Sequence, residues 1–270
     1  MAVALVTGGS SGIGLATVRR LAAEGDTVFA ASRNPTRAQL PEGVTPVVAD
    51  VADPAAADAL IDLVTGDAGR IDVLVNNAGS GLLGPMEEMS DADAQRVFEV
   101  NLFGPMRLAR AALPIMREQG GGRIINVTSM NDVLPAPFGG WYSASKAALA
   151  SASTVLGTEV HRFGVFVTVV APGLFRTEMS EALGNAEIPE TSRYRSILLA
   201  LREQNVTRVA AAPDPDAVAV AIEQCIRDPE PPARIIVGDD AEAMAKLVHD
   251  TDANEFARLL RSWVTALELR

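Results

Sequence analysis

The sequence predicts an α/β protein: a single-domain, doubly wound parallel sheet of about seven strands with helices on both faces. Three observations predict it. Short apolar runs recur at 3–7, 27–31, 44–49, 73–76, 123–128, 165–170 and 234–237, and segments of helical length and period separate them. The apolar content is mostly Ala, Val and Leu, with aromatics only 4%. That mixture suits strands buried on both faces beneath packed helices. Strand–helix alternation implies right-handed crossovers within one sheet. No repeat, linker or low-complexity stretch interrupts the 270 residues, so they are read as one domain.

Each element has a local reason. The first strand, 3–7, runs through a glycine-rich turn into a helix over 12–24, where Ile13, Ala16, Thr17, Arg20 and Leu21 fall at helical spacing. Gly25 then supplies a C′ glycine. After the strands at 27–31 and 44–49, Asp53 is placed as the N-cap of a helix over 54–64 with Pro54 at its first position. Past the strand at 73–76, Ser90 heads a Ser-Asp-Ala-Asp capping sequence before a long helix to about Arg117. The strand at 123–128 leads to a helix over 142–163 ended by Gly164, and a sixth strand follows at 165–170. Residues 177–207 break this rhythm where such a sheet places a substrate lid, which is assigned to 175–207. Prolines at 229–232 mark a turn before the last strand at 234–237, and 241–269 reads as helix.

Composition narrows the function classes. A formal net charge of -11 disfavours nonspecific attraction to nucleic acid or anionic membrane, so the expected partner is a small molecule. No apolar run reaches the ~18 residues of a membrane span. The single cysteine, Cys225, allows no internal disulfide and suits a reducing compartment. The chain starts without a basic flank or signal-peptide order, and a cytoplasmic location is expected. Neither His161, His249 nor Cys225 falls into metal-ligand spacing, so no metal is expected.

The turn Thr7-Gly-Gly-Ser-Ser-Gly-Ile-Gly14 joins the first strand to the first helix. Gly8 permits a tight turn, Gly12 lets the backbone approach a pyrophosphate, and Gly14 lets the helix sit close to the sheet. Exposed N–H groups and the helix dipole make an anion site there. An ordinary glycine-rich loop is the other reading of this turn taken alone.

The spacing of Thr7, Gly8, Gly12 and Gly14 resembles the short-chain dehydrogenase/reductase family, which has a Rossmann-like fold. Asn76-Asn-Ala-Gly79, Ser129, Tyr142-Ser-Ala-Ser-Lys146 and Pro172-Gly173 with Thr177 fall in that family's order and intervals. The resemblance covers about residues 2–180. It implies a nicotinamide-dependent oxidoreductase acting on a carbonyl or alcohol. Ser129 and Tyr142 would bond the substrate oxygen, with Tyr142 passing the proton. Lys146 would hold the nicotinamide ribose and lower the tyrosine pKa. Asn101 would support a water and proton relay; a helix polar residue satisfying backbone is its other reading. Where the family often has serine or glycine after the catalytic serine, this chain has Met130-Asn-Asp-Val133.

Independently, Tyr142 and Lys146 stand four apart on one helix face, and a tyrosine that ionises near pH ~10 needs such a cation to exchange protons at neutral pH. Ser129 ends a strand at the carboxyl edge, where ligands bind in open parallel sheets. The turn and the resemblance together assign cofactor contacts to Thr7, Gly8, Ser10, Ser11, Gly12, Ile13, Gly14, Ser32, Arg33, Asp50, Val51, Asn77, Ala78, Gly79, Tyr142, Lys146, Pro172, Gly173 and Thr177. Thr177 matches the residue that bonds the nicotinamide carboxamide. Asp50 matches the acceptor of the adenine amino group, or else caps the turn before Pro54. Asn76 either braces the sheet or touches the cofactor.

NADP(H) is expected over NAD(H). An NAD-selective turn carries an acid at the end of the second strand, where this chain has Ser32 followed by Arg33, with Arg37 in the same loop and no carboxylate between Asp26 and Glu42. Leu174, Phe175, Met179, Leu183, Ile188, Tyr194, Ile197, Leu198 and Leu201 suggest an apolar substrate, or helix core. Ala147, Ala148, Ala150, Ser151 and Ala152 on one long helix, with Ala109, Ala111 and Ala112 on the other, suggest a homodimer or homotetramer, as the family's helices pair, or packing on the sheet. Two alternatives stand beside the oxidoreductase reading: a catalytically silent dinucleotide-binding regulator, and an epimerase or dehydratase on the same scaffold.

Overall fold

Seven parallel strands form one sheet in the order β3-β2-β1-β4-β5-β6-β7. They are β1 (Val3–Thr7), β2 (Thr27–Ser32), β3 (Thr45–Val48), β4 (Val73–Asn76), β5 (Gly122–Val127), β6 (Val165–Pro172) and β7 (Arg234–Val237). The order reverses between β1 and β4, and a doubly wound sheet opens its ligand crevice at that switch. The computed structural model describes residues 1–184 and 187–268.

Ten helices are described: α1 (Gly12–Ala23), α2 (Ala56–Ala68), α3 (Asp91–Phe98), α4 (Gly104–Glu118), α5 (Gly140–Val160), α6 (Glu178–Gly184), α7 (Arg195–Ala211), α8 (Asp216–Arg227), α9 (Asp239–Asp250) and α10 (Ala253–Glu268). Alternation along the strands feeds two cores. Val3 and Leu5 of β1 join Leu60, Ile61 and Val64 of α2 and Leu108, Ala112 and Met116 of α4 on one face. Ala4 and Val6 join Val18 and Leu21 of α1 and Val218, Ile222 and Cys225 of α8 on the other. A third cluster lies off the sheet, where Ile197 and Leu201 of α7 meet Trp263 and Leu267 of α10 beside Leu83, Phe138 and Tyr194.

Boundaries move where side chains take over backbone bonding. Asp53 accepts the Ala55 N–H at 3.0 Å, which makes a turn rather than a cap, so α2 starts at Ala56 and not at Pro54. Ser90 caps α3 as expected, accepting the Asp93 N–H at 3.1 Å. The expected helix from there to about Arg117 is interrupted by a π turn over Glu99–Phe103. The expected helix over 241–269 is two helices, because Asp252 accepts the N–H groups of Asn254 and Glu255 and starts α10. Leu269 lies outside the described residues, as do positions 185 and 186 of the expected lid. Among the described residues no helix is long and apolar enough to cross a membrane.

Candidate active site

The glycine turn sits at the carboxyl end of β1. Gly8 has φ +67°, and a Cβ on Gly14 would overlap the Gly8 carbonyl oxygen, so the turn closes on itself only with glycine at both places. Gly14 therefore packs against the turn and the Asn77 side chain rather than against the sheet. No side chain caps α1 at Ser11 and its first turn has no acid, which leaves its N-terminal N–H groups to an anion.

Thr7 and Asn77 turn their polar atoms inward. The Thr7 hydroxyl accepts the Asn77 and Ala78 N–H groups at 3.1 Å each, and the Asn77 amide donates to the Thr7 carbonyl at 2.9 Å. They tie the β1 turn to the β4 turn. Asn76 braces the sheet: its amide donates to the Asn126 side chain at 2.8 Å and to the Pro105 carbonyl at 3.2 Å.

Beside the glycine turn, β2 ends at Ser32, whose hydroxyl is buried without a hydrogen-bond partner among the described residues. Arg33 is exposed beside it, and Arg37 pairs with Glu178 at 3.0 Å. Asp50 accepts the Ala52 N–H at 3.0 Å and an Arg96 guanidinium N–H at 2.7 Å. Burial pushes its carboxyl up, but these bonds and the charges of Arg96 and Arg33 together hold it below its ordinary value. Asp50 is thus both a turn acceptor and a charge facing Arg33. Val51 packs partly buried against the core, and its carbonyl lies where a Cβ on Gly104 would collide.

The expected reacting residues converge. Ser129 follows β5, and its hydroxyl accepts the Asn131 N–H at 3.2 Å while lying in hydrogen-bonding reach of the Tyr142 phenol. Lys146 is buried, donates to the Val127 carbonyl at 3.0 Å, and holds its ammonium 5.9 Å from the centroid of the Tyr142 ring. Burial pulls its pKa down to about 8, with the Asp132 carboxylate acting against that fall. Burial pushes the Tyr142 phenol above its ordinary value, the Ser129 bond pulls it down, and Asp132 raises it further. The net direction is opposite to the lowering expected from the tyrosine–lysine pair, because desolvation of a phenolate is the largest influence on the group.

Asn101 is fully buried in the π turn. Its side chain accepts the Ser80 N–H at 2.8 Å and donates to the Ser80 carbonyl at 2.9 Å and the Ser145 hydroxyl at 3.0 Å. An α-helix would bond the Asn101 carbonyl to the N–H four residues on, but that position is Pro105, which has none. The Asn101 side chain is therefore a brace, and its carbonyl is one to which position 105 offers no α-helical donor.

The loop after β6 folds back over these groups. Thr177 lies against Gly12, and Met179 of α6 lies against Gly79 near Lys146. Thr177 accepts the Ser180 N–H at 3.2 Å. Gly173 donates its N–H to the Val237 carbonyl at 2.8 Å, and a Cβ there would overlap the Asp240 carboxylate, which accepts the Leu174 N–H at 2.9 Å. Tyr194 donates to Glu87 and the Arg193 N–H to Glu88, so the start of α7 is tied to the segment that follows β4. Phe138 has φ +64° and sets its ring edge-on to Tyr194.

The model of the short chain dehydrogenase family matches residues 2–188, more than half of the chain. The chain belongs to that family. A 3-ketodihydrosphingosine reductase of Bacteroides thetaiotaomicron is 33% identical over 242 residues, covering 87% of each chain. A short-chain dehydrogenase structure from Streptomyces avermitilis superposes with a TM-score of 0.81 at 33% identity, covering 99% of this chain and 96% of that one. A Burkholderia phymatum family member in complex with NAD gives a TM-score of 0.80 at 26% identity, covering 92% and 93%. The chain is an oxidoreductase of this family with the Rossmann-like fold that binds a nicotinamide dinucleotide. The buried Ser32 hydroxyl and the uncapped α1 terminus fit such a group.

Sequence reasoning missed Asp132, Ser145, Arg234 and Asp240. Ser145 stood inside the Tyr142–Lys146 motif and could have been found there; the others act through contacts distant in sequence.

Proposed function

We propose that the chain is an NADP(H)-preferring oxidoreductase that interconverts an apolar ketone or aldehyde and its alcohol. The observation that carries this reading is the convergence of Ser129, Tyr142 and Lys146 at the carboxyl end of β5, next to the glycine turn. A bound nicotinamide supplies or accepts the hydride. Ser129 and Tyr142 hold the substrate oxygen, and the Tyr142 phenol gives it a proton in reduction and takes one back in oxidation. Lys146 holds the ribose and supplies positive charge beside the phenol. Asn101 fixes the helix turn whose carbonyl positions a relay water. Gly8, Ser10, Ser11, Gly12, Ile13 and Gly14 cradle the pyrophosphate, and Asp50, Val51, Ala78, Gly79, Pro172, Gly173 and Thr177 line the rest of the dinucleotide.

Ser32 and Arg33 select the 2′-phosphate, since the β2 end carries no acid to repel it. Residues 175–207 act as the lid; of its apolar residues Phe175 is buried in the sheet core, and Ile197 and Leu201 are core against α10, with Tyr194 partly buried beside Leu83 and Phe138. The relative named for reducing 3-ketodihydrosphingosine supports a carbonyl substrate. The chain works as a homodimer or homotetramer through the outer side of α5, where Ser151 and Val155 are exposed, together with exposed Phe103. Ala109 and Ala112, expected on that interface, are instead buried against the sheet, so they do not contribute to it.

The test is turnover. Reduced NADP should be consumed with at least one member of a panel of aliphatic and aromatic ketones and aldehydes. Tight cofactor binding without consumption across the panel would contradict the reading.

A further inference from the structure

Three residues beyond Ser129, the chain leaves the pattern usual after the reacting serine and places Asp132 there. Its side chain is fully buried. Each oxygen takes one guanidinium N–H of Arg234, at 3.0 and 2.6 Å, so the pair is bidentate across 102 residues of sequence. The Asp132 N–H also donates to the Ser129 carbonyl at 3.0 Å, which makes Asp132 the closing residue of the serine's own turn. We propose that Arg234 is a positioning residue for the reaction, fixing the Ser129 turn to the edge of the sheet and cancelling the negative charge of Asp132 beside Tyr142.

The charges around that turn can be named element by element. From α5 it faces Tyr142 and Lys146, and from β7 it faces Arg234. From α9 come Asp239, Asp240 and Glu242, of which Asp240 is engaged with the Leu174 N–H. The residues of β6 carry no titratable side chain. Asp132 is thus the carboxylate whose field reaches both Tyr142 and Lys146. Left alone it opposes the phenolate that oxidation needs. Forked by a guanidinium it becomes a dipole, and its effect at the phenol shrinks. Arg234 is partly exposed, so the arginine reaches in from the surface to meet a carboxylate that cannot reach water.

This inference rests on the reading of Tyr142 as the acid/base, and its test reports on the phenol directly. The chain has two tyrosines, so in a Tyr194→Phe background the tyrosinate band in the near ultraviolet belongs to Tyr142 alone. In that background Arg234→Gln should move the Tyr142 titration up by about one pH unit, and Asp132→Asn should move it down. Arg234→Lys, which keeps the charge, should stay near the parent, as should the double variant Asp132→Asn/Arg234→Gln. Opposite displacements cannot come from a merely structural pair. If Arg234→Gln does not fold, Asp132→Asn decides alone. Titrations that coincide with the parent, or two single variants displaced in the same direction, would overturn the proposal. Tyr142→Phe, assayed for turnover alongside, separates failure of this inference from failure of the acid/base reading.

Discussion

The Lys146 ammonium stands 5.9 Å from the centroid of the Tyr142 ring and is tethered by the Val127 carbonyl at 3.0 Å. The lysine and the tyrosine are thus neighbours one helical turn apart on the same face of α5. Lys146 is buried and Tyr142 partly so, and desolvation drives both pKa values towards the neutral forms.

A stability prediction follows for Lys146. Its folded pKa of about 8 lies below the unfolded value, so the folded state binds fewer protons between about 8 and 10.5. Stability therefore rises with pH through that window, and the cost of the buried charge is full below it. Lys146→Met should raise stability at pH 7 by on the order of 3 kcal/mol, at about 1.4 kcal/mol per pH unit. The gain should fade towards pH 10, in denaturant melts at each pH. Equal differences at both pH values would contradict it.

Gly173→Ala should disturb the loop after β6, because the added methyl would displace the Asp240 carboxylate that holds the Leu174 N–H. A loss of about 1–3 kcal/mol is expected from the overpacking. Pairing it with Asp240→Ala, which clears the space, should recover part of that loss in thermal melts. No recovery would place the damage elsewhere.

Cofactor choice tests the β2 end. Wild type should have higher kcat/KM with NADP(H) than with NAD(H), and Arg33→Ala should lose about 1.5–3 kcal/mol of that preference, the size of a hydrogen bond to a charged group. A preference for NAD(H), or an NADP(H) preference untouched by the change, would show that Arg33 is not the selector.

Assembly can be read by light scattering. The chain mass is 28.3 kDa, and a homo-oligomer should give at least twice that at micromolar concentration. Val155→Glu on the exposed side of α5 should shift the mass towards one chain. A mass near one chain for wild type would end the oligomer proposal.

What the sequence made legible was local. The turn from β1 to α1, the end of β2 at Ser32, and the capping serine of α3 are each set by residues within a few positions of one another. Ser129, Tyr142 and Lys146 were readable because a strand end and a helix face bring them together without any long-range contact. The split at Asp252 was missed because an aspartate is an ordinary residue in a helical pattern, and no glycine or proline marks the break. The π turn was hidden for a related reason: Pro105 is compatible with a helix start, and only the buried Asn101–Ser80 bonding shows where the ladder slips. Asp132 with Arg234, and Asp240 with Leu174, join segments 102 and 66 residues apart, and nothing local in either segment announces the other.

The central claim is that the Tyr142 phenol carries the proton. Turnover of Tyr142→Phe should fall ~10²–10⁴-fold, as expected when a general acid is removed, while NADP(H) still binds by fluorescence titration. A variant that binds cofactor and keeps more than about a tenth of the wild-type rate would contradict the account and assign the proton to another group.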